Sequence, residues 1–468
     1  MEALSSTIIK ESDAPKSGIG IKLSPRSERI PCLFFADDCL LFCKADATAC
    51  SNLKSVLAAF CSSSGQLINY HKSTLTFSTN ATSSQQQLVA GIFNITHSAS
   101  LGKYLECPVF QKKPSQTVFR ELSDKASMKL AGWKANCLSK AGRAVLIQSH
   151  LEAMPAHTMQ CFQLPVASSN HIDRVNRNFF WKTHNSDRGM PLIAWDTVCR
   201  PKVFGGLGLR KTLAVNKAFQ CKLAWKIVTK HDSMWARIMR SKYLRHHEFF
   251  DTHPKQGDSV VWKNILKCKD LLRKGLIWTV GDGNDISFWH DNWVTNDNLV
   301  SLLQIDIQDL TDSNIKVNAF IENNSWSIPK LRQQIRDQTI INRIIGIPLP
   351  ISAMKDSFHW GLSSSGSFTM KSATWSGYAL VPEEEQWPYK WLWKVDTMPK
   401  IKIFLWQMCH NALPVRETLI GRGCQLDPHC PLCLHAIESV DHLFSKCPHT
   451  TLVWDLARVH NWIPPKLG

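Results

Sequence analysis

Cys430-Pro431-Leu432-Cys433, followed by His442 and Cys447, has the spacing C-x2-C-x8-H-x4-C. Three thiols and an imidazole so close together can make a tetrahedral zinc site. A C-x2-C turn places two thiolates on one knuckle, Pro431 restrains it, and His442 with Cys447 can close the shell from the start of the next element. Four protein ligands leave no open position, which points to structural rather than catalytic zinc. Cys424, His429 and His435 compete for ligand roles, and the plain alternative is a set of free cysteines in a Cys-rich chain. Upstream, Pro399 is expected to open a helix with Ile401, Phe404, Leu405 and Met408 on its core face. Pro414 opens a second helix ended by Gly421 or Gly423, and the knuckle caps the pair. Lys394, Lys400, Lys402, Arg416 and Arg422 are candidate phosphate contacts, although solvated surface residues have the same pattern.

Beyond this segment the chain has 468 residues, 44% of them apolar, enough for about three domains. Lys and Arg number 55 against 38 Asp and Glu, a formal charge of +17 that favours a polyanionic partner. Basic and aromatic residues alternate in Trp133-Lys134, Phe180-Trp181-Lys182, Trp225-Lys226 and Trp391-Leu392-Trp393-Lys394, which suits RNA or DNA over a merely basic surface. The sixteen cysteines follow no disulfide framework and fit free thiols in a reducing compartment. No stretch approaches the ~20 apolar residues of a membrane span, and the first ten residues do not form a signal segment. The expectation is an intracellular protein of nucleus or cytoplasm, with no membrane partner. Oligomeric state is not readable. There is no GxxxxGK[ST] phosphate loop, and Gly205 to Leu209 lacks dinucleotide-fold glycine spacing.

Periodicity predicts helices over 48–62, from Ser115 through Leu130, and over 142–150, 171–181, 213–228 and 262–272. Trp195, Trp225, Trp235 and Trp262 read as packed anchors. Residues 79–87, rich in Ser, Thr and Gln, read as a polar connection. Ile277–Val280 and Ile286–Trp289 are expected to pair across Gly281-Asp282-Gly283-Asn284, and residues 357–362 with 367–370 across Ser363 to Gly366.

Phe34-Phe35-Ala36-Asp37-Asp38-Cys39-Leu40-Leu41-Phe42-Cys43 sets two adjacent carboxylates between short apolar runs, read as strand, tight turn, strand. Asp37 and Asp38 are therefore candidate magnesium ligands, because carboxylate-held Mg2+ can clamp the oxygens of a phosphoryl transfer. An ordinary Asp-Asp turn is the alternative.

From Gly18 to Pro165 the order of segments resembles the late palm and thumb of plant non-LTR, LINE-type reverse transcriptases. Gly18 to Ser24 leads to Phe35-Ala36-Asp37-Asp38 and a helix, then to Ser64-Gly65-Gln66-Leu67-Ile68-Asn69-Tyr70-His71-Lys72-Ser73. Leu101-Gly102-Lys103-Tyr104-Leu105-Glu106 is similar to the primer-grip hairpin, and residues 130–134 with 138–143 to the thumb. The segment from Trp391 through the cysteines resembles the zinc-binding region that follows such enzymes. The resemblance implies RNA-directed DNA synthesis, with Asp37 on magnesium, Asp38 supporting it and Lys72 near the departing pyrophosphate. It also implies Lys134, Lys140 and Arg143 as thumb contacts to nucleic acid. Two departures oppose activity. Glu106 stands where the family has glycine, and no upstream aspartate reads as the third palm carboxylate, since Asp13 falls in a loop-like stretch. The expected organisation is α+β and mostly helical. It comprises a partial palm over 1–80, a thumb over 81–165, a helical connector with small hairpins over 166–385, and a zinc-binding domain over 386–468. The expected function is a truncated, zinc-binding and nucleic-acid-binding relative without polymerase activity of its own. The alternatives are a polymerase fragment completed by missing fingers and palm, and a structural zinc protein that binds no nucleic acid.

Overall fold

A computed structural model describes the chain except for residues 106, 110–118, 120–123, 125–127, 129–136, 183–188, 307–309, 311, 353, 379–385 and 464–468. Lys134, Glu106 and most of the helix expected from Ser115 through Leu130 lie outside the described residues. The rest is mostly helical with small two-stranded antiparallel sheets, in agreement with the α+β reading. Two compact units divide it. One takes in residues 1–118, 160–163 and 219–369, and the other 119–159, 164–218 and 370–468. Residues 166–385, a single connector by sequence, are thus shared between them. Among the described residues no helix is long and apolar enough to cross a membrane.

In the first unit, Cys32–Phe35 and Asp38–Leu41 form the expected hairpin, with Phe35 opposite Asp38. Ala36 takes φ +51° at its turn. The helix Ala47–Ser64 follows, opened by the Asp46 carboxylate accepting from Ala49 N–H and closed by Gly65 at φ +71°. Gly18 fixes where the hairpin meets this helix. It sits at φ +68°, and a Cβ there would come within 2.6 Å of the Ala49 Cβ. Leu4, Ile8, Ile19, Leu53, Val89 and Phe93 fill the core beneath.

The polar stretch 79–87 is not a plain connection: it starts the helix Ser83–Phe93. Thr82 and Gln85 form a reciprocal capping box, so side chains that look like loop chemistry are the helix's N-terminal donors and acceptors. Val89 and Phe93, one turn apart, then bury one face.

Strand pairing in the same unit also departs from expectation. Leu276–Thr279 pairs with Ser357–Trp360, not with residues 286–289. The Asp356 carboxylate accepts from the backbone N–H groups of Gly281 (2.7 Å), Gly283 (2.9 Å) and Asp285 (2.8 Å), which draws the two distant segments together. Residues 286–288 bond instead to 315–317, through Phe288 N–H to Ile315 O and Val317 N–H to Ile286 O. Phe288 then stacks on Phe320 at 3.9 Å between centroids. Residues 367–370 form no strand, since Met370 begins the helix Met370–Thr374. The helix expected over 262–272 divides into Val260–Leu266 and Lys269–Gly275. Trp262 and Trp195 are buried and Trp225 stacks on Phe368, as packed anchors should, whereas Trp235 is only half-buried.

In the second unit, the helix Pro399–Cys409 packs against Lys140–Leu146 and contributes Ile403 and the fully buried Trp406 to a core with Ile147, Leu151, Phe180 and Leu209. Trp406 Nε1 donates to Gly205 O at 2.8 Å. The core face named from sequence is therefore corrected. Ile401 and Phe404 are exposed, because the bulkier Trp406 takes the interior and rotates them outward. Phe404 instead meets Phe444 edge-on at 5.9 Å, and Met408 packs with Leu413, Val415 and Val440.

Candidate metal centre

The cysteines are brought together by a short hairpin-like knuckle. Pro428 O accepts from Glu438 N–H, Ala436 O from Cys430 N–H, and Cys430 O from Leu434 N–H. Leu434 closes the turn at φ +60°. Ser439 then caps the next element, its hydroxyl accepting from His442 N–H at 3.0 Å. One wide helical turn, His442–Lys446, carries the imidazole, and Cys447 ends it by donating its N–H to His442 O. Pro448 starts the helix Pro448–Val459, where a missing N–H costs nothing.

The ligand atoms of Cys430, Cys433, His442 and Cys447 all lie within 4.8 Å of one another, and Cys433 Sγ is 3.3 Å from His442 Nε2. Tetrahedral zinc with Zn–S near ~2.3 Å sets its sulfur ligands roughly 3.8 Å apart, so the four residues fit the ion. Cys430, His442 and Cys447 are buried and Cys433 is half-buried. The knuckle backbone is already arranged for thiolates. N–H groups of His435 and Ala436 hold the Cys433 thiol down at about 6. Burial pushes Cys430 up, and N–H groups of Cys433 and Leu432 oppose that rise. Among the described residues this is the one cluster of three or more metal-capable side chains, and the competitors fall outside it. His429 is turned to Asp427 at 2.8 Å, His435 is exposed, and Cys424 follows the helix Arg416–Ile420.

Sequence reasoning missed what holds the knuckle to the rest of its unit. Arg416 Nη1 donates to Asp427 O and His429 O, and Glu438 accepts from Arg416 N–H. Arg416 thus clamps both arms of the knuckle. A Ser three residues before a ligand histidine was the readable sign of the cap; the arginine clamp had no local sign.

The remaining site residues are scattered. Asp37 and Asp38 are exposed on the hairpin turn, and the described residues bring no further metal-capable group into a three-membered cluster with them. Lys72 is exposed beyond Asn69, which accepts its backbone N–H. Arg143 is buried and donates to the carbonyls of Leu138, Phe179, Phe180 and Lys182, so its guanidinium serves as an internal tie. Lys140 bonds Gln407 Oε1 at 3.0 Å and lies over the Trp181 ring; burial lowers its ammonium to about 8. Lys394 and Lys400 are exposed, whereas Lys402 is half-buried and donates to Trp393 O. Arg422 donates to Leu192 O.

Comparison with known proteins bears on the cysteine segment directly. Residues 368–454 match the family model described as zinc-binding in reverse transcriptase, a span that holds all four ligands. The chain is 29% identical over 357 residues to an Arabidopsis thaliana protein named "Putative ribonuclease H protein", covering 74% of this chain and 57% of that one. It is 28% identical over 146 residues to an "Uncharacterized mitochondrial protein" of the same plant, covering 31% of this chain and 95% of that one. The chain thus spans a little over half the length of the first relative. The segment 368–454 is thus similar to the zinc-binding region described for reverse transcriptases.

Proposed function

We propose that this chain derives from a LINE-type reverse transcriptase and acts as a zinc-stabilised nucleic-acid-binding protein that does not polymerise by itself. The Cys3His cluster carries the reading: its four ligands close the metal shell and make zinc a structural ion that fixes the knuckle on the helix Pro399–Cys409. The +17 charge and the exposed Lys394 and Lys400, set beside the exposed Trp391, favour a polyanionic partner for that module. Asp37 and Asp38 sit on a turn as palm carboxylates do, but no third carboxylate joins them among the described residues.

Purified chain should contain one zinc and bind single-stranded RNA or DNA with an affinity that falls steeply with salt, because each neutralised phosphate releases counterions. Changing the exposed Lys394 and Lys400 together to Gln should lower the magnitude of the log-log salt slope by about one to two. Primer extension with Mg2+ or Mn2+ should be absent. Template-dependent incorporation lost in Asp37→Asn would restore the polymerase reading.

One observation favours a second reading, a zinc protein that is purely structural. Arg416, Arg422 and Lys402 all donate to backbone carbonyls of their own unit. Salt-insensitive or undetectable binding would select it.

A further inference from the structure

The helix Pro448–Val459 is attached by its polar side, and none of its residues is buried. At about 100° per residue, Leu452, Val453, Leu456 and Val459 share one side, and Thr450, Trp454 and Arg458 lie on the other. The second set holds the helix to its own unit: Thr450 Oγ1 donates to Leu443 O and Trp454 Nε1 to Phe444 O, each at 2.7 Å. Asn461, at φ +55°, ends the helix, the Trp462 N–H returns to Ala457 O, and the Trp462 ring stacks on His460 beside the apolar stripe. Leu452, Val453, Leu456, Val459 and Trp462 thus stand between 59% and 78% exposed. A helix of this length is marginal in water unless its apolar side is packed, and an apolar stripe left open marks an interaction surface.

We propose that this stripe is a self-association surface through which two copies of the chain pair, helix Pro448–Val459 against helix Pro448–Val459, as a two-fold dimer. Size is the first argument. The five side chains offer roughly 650 Å2 per copy, so a pair buries about 1,300 Å2, within the ~1,200–2,000 Å2 of specific protein interfaces. Charge is the second. The stripe carries no Lys, Arg, Asp or Glu, and Asp455 at its edge is bonded to Arg458 of the same helix. It therefore has nothing with which to hold a polyanion or to select a charged protein, whereas pairing with its own copy desolvates no charge. A two-fold interface sets the same patch against itself, which an uncharged apolar stripe satisfies. The surface is separate from the lysines proposed to meet nucleic acid, and the two respond oppositely to salt. Copies that each carry +17 repel, so screening strengthens their pairing while it weakens phosphate contacts.

The test is sedimentation velocity of the full-length, zinc-loaded protein from ~1 to ~100 μM, at low and at high salt. A concentration-dependent dimer that tightens with salt is expected, with no larger species. Leu456→Glu combined with Val459→Glu should weaken it by at least ~100-fold while zinc stays stoichiometric. Should that variant lose its metal, the milder Val459→Ser should still weaken pairing by about tenfold. The proposal is overturned by a wild-type chain that is monomeric throughout, with hydrogen-exchange protection of residues 452–459 then showing that another part of the chain covers the stripe. It is overturned equally by open-ended growth beyond the dimer, or by a dimer that survives both substitutions in zinc-loaded protein.

Discussion

The cysteine knuckle and the Asp37–Asp38 hairpin are both short polar motifs set among apolar residues, but they differ in how a site is completed. The knuckle collects all its ligands from one local segment, through a hairpin-like turn, a serine cap and a single wide helical turn. The hairpin presents two exposed carboxylates and depends on the rest of the fold to bring anything to them. A locally closed site survives wherever its segment survives. A site assembled from distant segments forms only where the fold brings those segments together, whatever its turn does.

That contrast orders the expected effects of substitution. The largest belongs to Cys433→Ser, which should abolish stoichiometric zinc and melt the order from Pro428 through Val459, because small zinc domains fold with their metal. Zinc content by elemental analysis, with far-UV circular dichroism, checks it. Retained zinc would mean that Cys424 or His429 can substitute, and the knuckle would be less self-contained than it looks.

Gly18→Ala should be intermediate, destabilising the first unit by about 1–3 kcal/mol in denaturant unfolding. The new Cβ would strike the Ala49 methyl in a left-handed backbone conformation. A neutral result would show that the hairpin is not held by its approach to the helix Ala47–Ser64, against the view that it depends on long-range packing.

The smallest effect is expected for Asp37→Asn. It should change stability by less than about 0.5 kcal/mol with or without added Mg2+, since exposed substitutions away from caps and ion pairs act weakly. A clear Mg2+-dependent stabilisation of the native chain, lost in the variant, would reveal a bound ion and bring the two regions into one category.

Local patterns fixed a good part of what was observed. Cys430, Cys433, His442 and Cys447 were legible because their spacing already encodes a knuckle and a following helical turn, and covalent proximity does the rest. The hairpin at Asp37, the helix Ala47–Ser64 and the start of Pro399–Cys409 were legible for the same reason: turn residues, caps and periodicity act over a few bonds. The structure alone decided the partner of Leu276–Thr279, since Asp356 gathers three N–H groups from a turn more than seventy positions earlier. It alone turned Trp406 rather than Phe404 inward, and it alone spent Arg143 on four carbonyls within the core. A guanidinium has the same sequence signature on a surface or inside. Whether it meets phosphate or backbone depends on which carbonyls the fold leaves unpaired, and that is settled only when distant segments pack and exclude water.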